Sequence, residues 1–81
     1  MKIKYFAWIK DITNNDEEFI DKDKAENLDK LKDYIIAKYP NLKKHIDKEI
    51  LRFAVNQEYV IDNIDLHAND EIAVFPPVSG G

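Results

Sequence analysis

The chain has 81 residues, room for one small domain whose core is marginal and must pack efficiently or share a partner's surface. At 44% hydrophobic it is a globule rather than a disordered chain, and without cysteine it lacks disulfides, thiolate metal sites and a cysteine nucleophile. A net charge of −4 with both signs interspersed argues against nucleic acid, and the absence of a signal peptide or an apolar run of membrane-span length predicts a soluble, cytoplasmic protein.

Residues 2–9 alternate, with Ile3, Tyr5, Ala7 and Ile9 on one strand face and Lys2, Lys4, Phe6 and Trp8 on the other. The first set reads as core; the second puts two large aromatics on an outward face. Asp11 to Glu17 is polar and turn-like, and Glu18-Phe19-Ile20 reads as a short strand hairpin-paired with the first. Asn27 is a candidate N-cap for a helix whose stripe is Leu28, Leu31, Ile35 and Tyr39, stopped at Tyr39-Pro40 because a residue before proline is pushed out of the α region. Asn41 to Ile46 predicts a further short helical turn. Leu51, Phe53 and Val55 alternate as a strand, Asn56-Gln57 is a tight turn, and Tyr59-Val60-Ile61 returns. Asp62 to Asp70 is a polar loop containing Leu66. Glu71 to Phe75 is the last strand, ended by Pro76-Pro77, which have no N–H for a ladder.

Strand, strand, helix, then strands implies a two-layer α+β domain in which the helix buries its stripe on one face of a mixed sheet, and the β-grasp (ubiquitin-like) arrangement is the familiar solution. The domain is expected over residues 1–75, followed by an extended tail over 76–81.

The chain has only two glycines, Gly80 and Gly81, and they are its last residues. Pro76-Pro77 stiffens the exit from the final strand; Val78 and Ser79 are small to medium; the glycines carry no side chain. Such an arm can thread a tunnel and end in a free carboxylate. A carboxylate is inert until activated, for instance as an acyl-adenylate. Its carbonyl can then accept sulfide or an amine, and a terminal glycine leaves it open to attack.

Phe75-Pro76-Pro77-Val78-Ser79-Gly80-Gly81, with Val55-Asn56-Gln57 at the hairpin and the Leu28/Leu31/Ile35/Tyr39-Pro40 helix, resembles the small subunit of molybdopterin synthase, the MoaD family. The likeness spans essentially the whole chain, and the ending is its most specific part. A lysine- and asparagine-rich first half without the usual glycine near the first hairpin is the one departure. The resemblance implies that Gly81 is adenylated by a ubiquitin-activating-type enzyme, which uses the ATP, and becomes a thiocarboxylate. The tail then enters the large synthase subunit and donates sulfur to cyclic pyranopterin monophosphate in molybdenum cofactor biosynthesis. It further implies a heterotetramer of two small and two large chains, with the catalytic pocket on the large subunit and no cofactor bound here. Phe6, Tyr59 and Phe75 match positions that contact the large subunit or the activating enzyme, Trp8 and Leu66 extend the patch, and Pro76 to Ser79 form the inserted stem.

His45 and His67 have no metal-site spacing, and Asp62, Asp65, Asp70 and Glu71 lack the glycine and ligand spacing of a calcium loop, so no metal site is expected. Ser79 has no organised base nearby in sequence and is not a candidate nucleophile. The alternatives are a sulfur carrier for another product, such as the thiazole of thiamine, a ubiquitin-like protein modifier joined through Gly81, or a β-grasp binding module with an inert terminus.

Overall fold

Ile3 and Tyr5 are buried on a strand, β1 (Lys2–Tyr5), but it stops four residues short of the expected end. The computed structural model, which describes residues 1–77, turns the chain at Ala7, whose backbone sits at φ 54° and ψ −137°. A helix, α1 (Trp8–Thr13), follows where strand and turn were expected. Ile9 is buried as predicted, yet as part of a helical stripe with Ile12 and Thr13; one buried isoleucine satisfies both periods, so alternation could not separate them. Asn14 closes α1 in the left-handed conformation, its amide donating to the Lys10 carbonyl at 2.8 Å.

The strand β2 (Glu17–Phe19) pairs antiparallel with β1. Helix α2 (Leu28–Lys38) begins as expected: Asn27 Oδ1 accepts the Lys30 amide at 2.9 Å, and Leu28, Leu31 and Ile35 are buried. Asn63, from the polar loop, accepts a second orphan donor, the Asp29 amide, at 2.9 Å. Pro40 opens a 3-10 turn, Pro40–Leu42, that runs into α3 (Lys43–Asp47), and Leu42 is buried. Strands β3 (Arg52–Val55) and β4 (Glu58–Val60) form a hairpin whose two loop residues, Asn56 and Gln57, have φ 52° and 71°. Positive φ at both central positions matches the twist of the strands, as a type I′ turn does. The strand β5 (Glu71–Phe75) lies between β1, to which it is parallel, and β3, to which it is antiparallel.

The sheet order is β2-β1-β5-β3-β4, a mixed five-stranded sheet with α2 packed on one face, the β-grasp arrangement. Ile3, Tyr5, Phe53, Val55, Ile72 and Val74 face the helices, and the core also takes Ile9, Leu28, Leu31, Ile35, Leu42 and Leu51. Leu66 belongs to this core with 0% exposure, which corrects its expected place on a docking patch. The loop is drawn inward because Leu66 donates its amide to Glu26 and Ile64 accepts from Leu28, both at 2.9 Å. Among the described residues no helix is long and apolar enough to cross a membrane.

Candidate functional site

The face of the sheet away from α2 follows from strand register. Tyr59 lies opposite Ala54, Ala54 opposite Ala73, and Ala73 opposite Lys4; one step along, Phe75 lies opposite Arg52. Alternation already places Arg52 and Ala54 opposite Phe53 and Val55, and Ala73 and Phe75 opposite Ile72 and Val74. Sequence reasoning singled out the large aromatics and passed over the two alanines. Those alanines make the centre of the face shallow, so the rings around them form a low rim.

Phe6 is 46% exposed and continues this face beyond β1, its amide donating to the Val74 carbonyl at 3.1 Å. Because Tyr5 pairs with Val74, Phe6 and Phe75 stand at successive, corresponding positions of two parallel strands. Tyr59 is 68% exposed, and its ring lies 5.5 Å from that of Phe75. The structure therefore brings Phe6, Phe75 and Tyr59 to one end of the open face, the end at which β5 passes into Pro76 and Pro77. An apolar cluster of this kind, on a surface not needed for the core, has the character of a protein interface.

The other end of the face is ionic. Lys2 meets Glu17 at 3.3 Å and Lys4 meets Glu71 at 3.4 Å, while the Lys2 ammonium lies 5.5 Å from the Phe19 ring centroid. These pairs are partly exposed and add little stability, and they give this end, which also carries the exposed Phe19, a mixed character that the tail end lacks.

Trp8 is not on this face. The turn at Ala7 carries it onto α1, where its ring lies against His45, tilted, at 4.8 Å between centroids. His67 lies 3.6 Å from Asp70, and its amide donates to that carboxylate at 2.8 Å. Among the described residues no three His, Asp or Glu side chains gather as metal ligands would. Val78, Ser79, Gly80 and Gly81, on which the expected chemistry rests, lie outside the described residues.

Comparison with known proteins adds independent information. A model of the ThiS family matches residues 3–81. A molybdopterin synthase sulfur carrier subunit from Dictyostelium discoideum is 39% identical, the match covering 99% of this chain and 94% of the relative. The subunit of the same name from Caenorhabditis briggsae is 35% identical over 100% of this chain and 96% of its own. Among solved structures, a protein described as molybdopterin converting factor subunit 1 from Pyrococcus furiosus superposes with TM-score 0.83 at 29% identity, covering 95% of each chain. The small archaeal modifier protein 1 of Haloferax volcanii superposes with TM-score 0.81 at 26% identity, covering 99% of this chain and 97% of its own.

Proposed function

Because the chain belongs to the ThiS family, we propose that it is the sulfur-carrier small subunit of a molybdopterin synthase, serving molybdenum cofactor biosynthesis. The observation that carries this reading is positional. The Phe6, Tyr59 and Phe75 cluster lies where β5 delivers the Pro76-Pro77 stem, so a partner that docks on the cluster meets the tail as it leaves the fold.

The chain has two tasks in this reading. First, Gly81 presents its carboxylate to an adenylating enzyme of the ubiquitin-activating type. Attack of the carboxylate on the α-phosphorus of ATP gives the acyl-adenylate and releases pyrophosphate. A sulfur nucleophile then displaces AMP, leaving a thiocarboxylate. Second, the loaded tail enters the large synthase subunit, which holds the catalytic pocket, and the thiocarboxylate sulfur is transferred to cyclic pyranopterin monophosphate. Hydrolysis returns the carboxylate. The ATP is bound by the activating enzyme. Two small and two large chains make up the assembly.

The test is an intact mass after incubation with the activating enzyme, ATP and a sulfur source. Exchange of one carboxylate oxygen for sulfur adds about 16 Da, and deletion of Gly81 abolishes that gain while the chain stays folded. An unchanged mass, with an enzyme that loads a known sulfur carrier, overturns the reading. The likeness to the small archaeal modifier favours a second one, protein modification through Gly81. Adducts between this chain and lysines of other proteins, formed in place of the thiocarboxylate, would establish it.

A further inference from the structure

The sheet has two edges, β2 and β4, and they are finished differently. The β2 edge carries Glu17 and Glu18, and Glu18 is drawn onto α2 by the Tyr34 and Tyr39 hydroxyls. The β4 edge, Glu58-Tyr59-Val60 followed by Ile61, has no proline, lysine or covering helix. In a two-residue hairpin Glu58 and Val60 spend their main-chain groups on β3, so those of Tyr59 point outward, and Ile61 follows directly after the strand. Ile61 is 91% exposed.

A groove of about 480 Å³ runs beside this edge, between it and the helical layer. Ile46, Leu51, Phe53 and Val60 give it an apolar lining; Lys32, Arg52 and Glu49 are its charged residues. Lys2, Lys4, Lys10, Lys38 and Lys43 each meet a carboxylate, whereas among the described residues Lys32 and Arg52, like Lys22, Lys24, Lys30, Lys44 and Lys48, do not. The Lys32 ammonium is instead held 5.3 Å from the Phe53 ring centroid, and Arg52 is steadied by one bond to the Glu49 carbonyl at 2.9 Å. Two poised cations beside apolar walls, on a chain of net charge −4, complement an anion on an apolar ligand.

We propose that the β4 edge and its groove form a strand-addition site for an extended partner segment with apolar residues at alternate positions and a flanking carboxylate. The main-chain groups of Tyr59 and Ile61 bind the partner's backbone, the groove takes its apolar side chains, and Lys32 and Arg52 take its acid. A second copy of this chain is a poorer occupant. In the register that places Tyr59 opposite Ile61, the edge sets Glu58 against the other copy's Asp62 at both ends. The site does not depend on the sulfur-carrier reading, whose docking cluster it adjoins at Tyr59 and at Arg52, which lies opposite Phe75.

The experiment titrates the full-length, isotope-labelled chain with a synthetic peptide, acetyl-Thr-Val-Thr-Val-Thr-Val-Asp-Asp, and follows backbone amide signals. Shifts centred on Tyr59, Val60, Ile61 and Arg52 are expected. Binding should weaken by about tenfold or more when Lys32→Glu and Arg52→Glu are combined. Ile61→Pro removes the N–H that follows the strand without touching the β3 ladder and should also weaken it. Phe6→Ala should leave it unchanged. The proposal is overturned by silent amides at millimolar peptide, by shifts at β2, or by equal binding of the peptide with lysines in place of its aspartates. It is also overturned if the free chain doubles its mass with concentration, which makes a second copy the occupant. A gain in affinity on deleting residues 78–81 would make the chain's own tail the occupant instead.

Discussion

Ala7 holds the left-handed half of backbone space, at φ 54° and ψ −137°, where a Cβ is crowded and glycine is at home. The turn is required by its neighbours: it ends β1 after Tyr5, leaves Phe6 beside β5 and starts α1. A glycine there accepts the same geometry without the clash, at some cost in unfolded-chain entropy. Ala7→Gly should therefore stabilise the chain by about 1 kcal/mol, read from urea unfolding midpoints at unchanged slope. Tyr5 carries the opposite kind of tension. Its hydroxyl is buried and, among the described residues, finds no hydrogen-bond partner. Burial, with the Glu18 carboxylate second, pushes its phenol well above the ordinary tyrosine range. The unfolded chain can therefore ionise this phenol first, so its titration leaves stability unchanged below about pH 10 and takes stability away as pH rises beyond it. Tyr5→Phe should raise neutral stability by about 1 kcal/mol and make the loss above pH 10 shallower, which denaturant midpoints across the alkaline range will show.

At the scale of elements, two polar clasps do what short strands and short helices cannot. Glu18, its side chain only 10% exposed, faces the helical layer and accepts hydrogen bonds from the Tyr34 and Tyr39 hydroxyls and from Lys38 at 3.3 Å. It ties the edge strand β2 to the last turns of α2. The second clasp joins the β3–β4 hairpin to β5. Asn56 donates its amide to the Glu71 carbonyl at 2.8 Å, and its Oδ1 accepts the Glu71 amide at 3.0 Å. Asn56 Nδ2 reaches Asp70 Oδ1 at 2.9 Å, and the His67 amide reaches Asp70 Oδ2 at 2.8 Å. Burial by itself would raise the Asp70 carboxyl, but these donors and the nearby His67 outweigh it and hold it below the usual carboxylate range. A depressed carboxyl stabilises the fold above its ordinary value and loses that contribution as pH falls below it. Asp70→Asn should accordingly flatten the decline in stability as pH falls below about 4, seen in urea midpoints measured through the acid range.

At the scale of the whole molecule the sheet separates duties between its faces. One face is consumed by the core; the other keeps Phe6 and Tyr59 exposed beside a half-buried Phe75 near the origin of the tail. Phe6 is outside the buried cluster, so its loss falls on association rather than folding. Phe6→Ala should leave the unfolding midpoint within about 0.5 kcal/mol of the parent and weaken binding to the large subunit about tenfold or more by titration calorimetry. Unchanged affinity would remove Phe6 from the interface.

Much of this was legible without coordinates. The Leu28, Leu31, Ile35 stripe, its Asn27 cap, the Pro40 stop, the Asn56-Gln57 turn and the β5 alternation are each set by a local rule of period, capping or turn stereochemistry, and local rules are written in consecutive residues. The Gly80-Gly81 ending behind two prolines is likewise a property of the chain itself. Three things were decided by the tertiary structure. The first is the turn at Ala7, where a conformation unfavourable for alanine is held by packing on both sides and converts half an expected strand into α1. The second is Leu66, which a polar loop would leave at the surface but which two backbone bonds to the start of α2 draw into the core. The third is the grouping of Phe6, Tyr59 and Phe75, residues far apart in sequence that meet only because β1 and β5 run parallel with β3 and β4 alongside. The physical reason is common to all three: each depends on contacts between distant segments, and no local propensity encodes which distant segment will arrive.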